Sequence, residues 1–107
     1  MTHKEHCDEC RQKLSRDWSI VHLWLDYYAK YTYPSDRHRI YRHNWDGVET
    51  VRHKWGDEAA KAAELHILAD MKAYGMDHVP SMAEAEALWA QEIVHHPDGR
   101  IETRNRA

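Results

Sequence analysis

The chain has no phenylalanine and, in 107 residues, two cysteines, three prolines and four glycines. Two cysteines in a single Cys7-x-x-Cys10 do not make a disulfide scaffold. No run of 18 apolar residues is present, and Met1-Thr2-His3-Lys4-Glu5-His6 lacks the apolar core of a signal peptide. Neither a membrane association nor export is expected, and the expected setting is the reducing cytoplasm of a bacterium or of a virus-infected cell. Strand-like alternation, internal repeats and domain linkers are missing as well. A single domain is expected, burying roughly two-thirds of the surface its unfolded chain exposes.

What the chain does have is ten histidines, five tryptophans and an uneven distribution of charge. Charged residues make up 31% and hydrophobic residues 42%, with a net charge of -3. Between Lys30 and Trp55, six Lys/Arg stand against Asp36, Asp46 and Glu49, whereas between Asp57 and Glu92 only Lys61 and Lys72 oppose eight Asp/Glu. The plain reading is two solvated helix faces of opposite sign; an anion-binding side is the alternative.

The punctuation predicts an all-α, compact bundle of about five helices over 1–96, followed by a polar, mobile tail over 97–107. The first helix covers His3 to Leu14. A second runs from a cap at Asp17 to Lys30, with Trp18, Val21, Leu25 and Tyr28 on one stripe, and ends because Pro34 disfavours a helical Tyr33. Ser35 or Asp36 caps a third, which points Ile40, Gly47, Val51 and Trp55 inward and stops at Gly56. The fourth spans Asp57 to Tyr74, with Ala59, Ala60, Ala62 and Ala63 permitting close packing and Gly75 as its stop. Ser81-x-x-Glu84 is a capping box opening a fifth, with Met82, Ala85, Trp89 and Ile93 inward, until His95-His96-Pro97-Asp98-Gly99 breaks it.

Histidine and aspartate recur at helical spacing on these elements. His22 and Asp26 lie four residues apart, as do His66 and Asp70, so each pair shares a helix face at the edge of the core. Facing each other across a bundle, such groups hold divalent metals. A buried carboxylate costs several kcal/mol without a partner, and a metal, an arginine or a protonated histidine would each supply one. The expected metal ligands are His22, Asp26, His66 and Asp70, with His38 or His43 completing the shell and His6 as an additional ligand. His38 and His43 are five residues apart, about 140° around a regular helix, so they face one point only if the first turn at His38 is irregular; otherwise one is a ligand and the other a supporting or substrate-binding group. Arg37 and Arg39 beside them suit a phosphate or carboxylate, while Arg42 reads as part of a solvated basic helix start. The N-terminal His3-x-x-His6-Cys7-x-x-Cys10 resembles zinc ligation, but one helix rarely supplies four tetrahedral ligands, and Cys7 and Cys10 read as core or incidental residues.

The strings His6-Cys7, Ile20-Val21-His22-x-Trp24-x-Asp26, Arg37-His38-Arg39-x-x-x-His43 with Gly47, His66-x-x-x-Asp70, and Val79-Pro80-Ser81 with Trp89 resemble a family of small bacterial and phage proteins of unknown function, in the same order over residues 3 to 93. The resemblance implies a shared helical fold and a shared His/Asp site, not a reaction. The chain departs from that family at Asn44, where a second histidine is common, and at Cys10, where a small hydroxyl residue is usual; Asn44 speaks against a two-metal site. HD-domain phosphohydrolases also gather His and Asp from several helices, but they carry an adjacent His-Asp doublet that this chain lacks, so that comparison is one of analogy.

Two function classes follow at near parity. One is a metal-dependent hydrolase acting on a phosphate-containing small molecule or nucleotide, with Zn, Fe, Mn or Ni suited to mixed imidazole and carboxylate ligands. The other is a non-catalytic phage or bacterial interaction protein, a regulator or inhibitor of a host factor, with a structural metal or none. Expected partners are accordingly a small anionic ligand or a protein, with assembly of copies left open. Nucleic acid is disfavoured by the acidic net charge and the lack of a helix-turn-helix signature.

Overall fold

A computed structural model of the chain describes residues 1–32, 38–88 and 91–105, apart from the side chains of residues 40, 91–95, 101 and 103–105. Thr2 opens α1 (His3–Leu14) with a reciprocal capping box: its side chain accepts from the Glu5 backbone, and Glu5 reaches back to Thr2 N–H. Next come α2 (Ser19–Leu25), the single-turn α3 (Ala29–Thr32) and α4 (Arg39–Arg42), then α5 (Trp45–Trp55) and α6 (Asp57–Met71), the last continued by a 3-10 turn at Lys72–Tyr74. Helix α7 (Met82–Leu88) is opened by the expected Ser81–Glu84 box, both of whose bonds are 3.1 Å. Among the described residues, the fold is an all-α bundle on five helices of seven residues or more, and no helix is long and apolar enough to cross a membrane.

Long helix α6 is the spine. Ala59, Ala60, Ala62, Ala63, Ile67 and Met71 are buried along it, and α5, α1 and α2 pack against it. Leu25, Ile67 and Met71 are wholly enclosed with Val21, Val48 and Val51; removing such a side chain from water is worth about 1.5–3 kcal/mol. Cys10 belongs to this core, and burial pushes its thiol up to about 11, the opposite of what a redox-active or metal-binding thiolate needs.

Three expected helices are corrected. The second is broken at Asp26, whose backbone leaves helical geometry as the C-cap of α2, so that Tyr28 falls outside the buried stripe. The third is broken at His43 and Asn44: Asn44 is extended (φ -158°, ψ 177°) and caps α5 by accepting from Gly47 N–H at 2.9 Å. Gly47 is required there, because a Cβ on it would collide with the carbonyl of Arg42. The expected cap at Ser35 or Asp36, the stop at Tyr33-Pro34 and the inward Trp89 lie outside the described residues.

The fifth helix does not reach Ile93. Gln91–His95 (β1) instead pairs antiparallel with Ile101–Asn105 (β2), from Gln91 opposite Asn105 to His95 opposite Ile101. Within the expected tail, Ile101–Asn105 is thus the second strand of a hairpin. Pro97-Asp98-Gly99 makes the turn, with Gly99 at φ 88° and Asp98 accepting from Arg100 N–H. Ile93, Val94, Ile101 and Thr103 are β-branched, which favours strand over helix in so short an apolar run.

Candidate metal centre

The breaks in the helices place the site. Asp26 sits at the C-terminal cap of α2, while His38 and His43 flank the single turn α4 from either end. Because His43 leaves the helix (φ -88°, ψ 62°), the two histidines that a regular helix would spread apart both reach Asp26. Their Nε2 atoms lie 3.6 Å and 3.4 Å from Asp26 Oδ1. His66 and Asp70 stand one turn apart on α6, and His6 is presented by α1 with its ring stacked on that of His66 at 3.7 Å between centroids.

Four imidazole Nε2 atoms thus turn onto two carboxylates. His66 Nε2 is 3.3 Å from Asp26 Oδ1 and 3.2 Å from Asp70 Oδ2, and His43 Nε2 is 3.0 Å from Asp70 Oδ2. His6 Nε2 faces Asp70 Oδ1 at 3.3 Å, yet neither atom has a well-directed hydrogen bond. Ligand atoms about 2.1 Å from one ion stand about 3.0 Å apart across a right angle and about 3.4 Å apart across a tetrahedral one. The observed spacings match those edges. Asp26 Oδ1 alone meets three imidazole nitrogens, more than its lone pairs can serve by hydrogen bonding. Asp26, His43, His66 and Asp70 offer ligand atoms that all lie within 4.8 Å of one another, as do His6, His22 and His66. Neither set includes Cys7 or Cys10. Comparison with family models, with curated proteins and with solved structures returns no match. The site is therefore read from its own chemistry.

Electrostatics tie the cluster together. Burial raises the carboxylic pKa of Asp26, but the imidazoles of His38, His43 and His66 outweigh it and hold that group far below the usual carboxylate range. Asp70 behaves alike, with burial overcome by His43, His6 and His66 and by the charge of Arg39. Burial lowers His66, yet Asp26 and Asp70 raise it on balance. Arg39 Nη2 lies 3.5 Å from Asp70 Oδ1, and its Nη1 donates to the Tyr74 hydroxyl. Arg42 takes no part: it donates to the Trp24 carbonyl at 2.7 Å and lies over the rings of Trp24, Tyr27 and Tyr28, locking α4 to α2. Arg37, the other expected anion ligand, lies outside the described residues.

His22 belongs to the second of the two groups within ligand reach, with His6 and His66, and has partners at both ring nitrogens. Its Nδ1 turns to His66 Nδ1 at 2.9 Å and its Nε2 to the Asp17 carbonyl at 2.9 Å, so both ring nitrogens are engaged behind the carboxylate cluster. Burial, then the charge of His66, lowers its pKa to about 4. In the unfolded chain it titrates near the ordinary value of about 6.5, so between pH 6.5 and 4 the unfolded state alone takes up this proton and stability falls with acid. His66 acts oppositely: its contribution is complete below about 6.5 and is lost as pH rises through its higher folded pKa. The depressed carboxylates contribute a constant amount above about pH 5 and begin to add to the loss below it. The metal-free protein is expected to be most stable near pH 6.5, losing on the order of 2–3 kcal/mol by pH 4 from His22. Urea unfolding in chelator from pH 4 to 9 measures it, and a profile that rises steadily towards acid contradicts the assignment.

Asp26 is the open edge of the cluster. Its side chain is 33% exposed, against 2% for Asp70 and 0% for His43 and His66. A groove of about 400 Å³, bordered by His3, Leu23, Tyr27 and Lys30, leads to Asp26 and His22. A second groove of about 410 Å³, between Glu9, Lys13, Leu65, Leu68 and Met76, is lined by none of the cluster's residues.

Proposed function

We propose that this chain is a divalent-metal-binding helical protein that hydrolyses a phosphate-containing small molecule or nucleotide. The observation that carries the reading is the convergence of four imidazole Nε2 atoms on two carboxylates, buried Asp70 and half-buried Asp26, at the spacing of a coordination shell. Counting side chains, Asp26, Asp70 and Arg39 with neutral histidines sum to one negative charge. A divalent ion inverts that to one positive charge, which suits an anionic ligand. Such an ion supplies Lewis-acid chemistry and an acidified water. The chain's own groups do the rest: Asp70, His43 and His66 form the enclosed wall, Asp26 closes the exposed side, and Lys30 lines the approach for an anion. Mixed imidazole and carboxylate ligands suit Zn, Fe, Mn or Ni, and elemental analysis of protein purified without a histidine tag identifies which one is held.

The test is to follow thermal unfolding and turnover of the metal-loaded protein with nucleotides and generic phosphoesters. A true ligand at a hundredfold its Kd stabilises by about 2.7 kcal/mol, a shift of many degrees at this size. Asp26→Asn is expected to remove turnover. No shift and no turnover with any phosphoester overturns the hydrolase reading. One observation favours the alternative of a non-catalytic interaction protein: Ile20, Leu23, Tyr27, Tyr31 and Tyr41 are each more than half exposed.

A further inference from the structure

We propose that His22 is not a ligand of the centre but the positioning residue that sets which nitrogen of His66 is offered to it. The inference rests on the metal-binding reading of the cluster and adds a hydrogen-bond relay behind it.

The argument starts from a group whose role is fixed. The Asp17 carbonyl only accepts, so His22 Nε2, 2.9 Å away, carries a proton. A neutral imidazole carries one proton, which leaves His22 Nδ1 as a bare lone pair. That lone pair faces His66 Nδ1 at 2.9 Å, a distance at which two lone pairs repel, so the proton between them belongs to His66 Nδ1. His66 Nε2 is then the nitrogen left for a metal, which on binding would displace the proton this atom donates to Asp26 and Asp70. His22 is wholly buried against the stacked rings of His6 and His66, and exclusion of water from it favours a neutral ring.

The backbone supports the same arrangement. Trp18 has φ 54°, an uncommon conformation for so bulky a residue, immediately after the carbonyl that receives His22. That left-handed turn sets how the Asp17 carbonyl faces α2, so strain at Trp18 and the proton position on His22 belong to one arrangement. In metal centres such outer hydrogen bonds fix the tautomer of the ligating ring and its orientation.

Glutamine at position 22 separates positioning from ligation. Its carboxamide offers an acceptor towards His66 and a donor towards the Asp17 carbonyl, copying the relay, but is a poor transition-metal ligand. Zinc and cobalt affinities are compared for the wild type, His22→Gln and His22→Leu. The relay predicts a loss of about 10- to 100-fold in His22→Leu and recovery to within a few-fold of wild type in His22→Gln. Equal loss in both variants assigns His22 as a ligand and overturns the proposal, as does wild-type affinity in both. Nitrogen NMR of 15N-histidine protein, metal-free and zinc-loaded, gives a readout that survives a misfolded leucine variant. The expected spectrum shows His22 protonated at Nε2 alone and a coupling from His66 Nδ1–H to His22 Nδ1. Protonation or metallation at His22 Nδ1 overturns it. Should the wild type bind no metal, the proposed function falls, while the metal-free spectrum still decides the relay.

Discussion

His66→Ala is expected to abolish stoichiometric metal uptake, with His53→Ala, on the exposed face of α5, leaving it intact. His66 is the one residue common to both groups that lie within ligand reach, so the choice between them does not affect the outcome. Structural zinc is bound with about 10–16 kcal/mol, or about 3 kcal/mol for each of four ligands, which is more than a hundredfold in affinity. The ring also holds the cluster together without metal, through Asp26 and Asp70 and through its stack on His6. Metal content should therefore be measured beside circular dichroism, to separate loss of a ligand from loss of fold. Full metal content in folded His66→Ala would move the site away from α6, towards the N-terminal His3 and Cys7, whose side chains meet at 3.5 Å.

Gly47→Ala should cost about 3 kcal/mol, a fall in Tm of about 15 °C. The added Cβ meets backbone, the Arg42 carbonyl at the end of α4, which cannot turn aside as a side chain could. Relief requires the α4–α5 corner to open, and His43 is the residue at that corner. The same variant should therefore bind metal more weakly even at temperatures where it is folded. Thr50→Ala, exposed on the same helix, serves as the control. An unchanged unfolding midpoint for Gly47→Ala would mean that the corner is looser than the packing indicates.

The parts of the fold legible in the sequence are those written in local chemistry. Helix α1 spans the residues its periodicity marks, Ser81 and Glu84 cap each other, and Gly56 and Gly75 stand where helices stop. The break at His43-Asn44 was harder to read, because a polar residue between Arg42 and Trp45 fits the exposed side of a continuous helix. Its signal was present: Asn44 is a good N-cap and Asp46 an acidic first-turn residue, but neither outweighs a longer apolar period without knowledge of the Arg42–Gly47 contact. For the site, i and i+4 spacing put His66 and Asp70 on one face, and the structure places them beside Asp26, His43, His38 and His6. The spacing is silent on which way a ring faces. His22 and Asp26 share the pattern of His66 and Asp70, but the left-handed Trp18 puts a carbonyl behind His22 and the ring answers to it. The hairpin escaped because its pairing is between strands, whereas periodicity reports only one segment at a time.

The six converging side chains come from α1, the end of α2, both flanks of α4, and α6, so no stretch of local structure assembles them by itself. A ligand for this cluster consequently weighs the folded population: apparent affinity equals intrinsic affinity scaled by the fraction of molecules in which all these elements have met. A metal titration of this protein is also a stability measurement, and a substitution far from any ligand, if it loosens the bundle, will register as weaker binding.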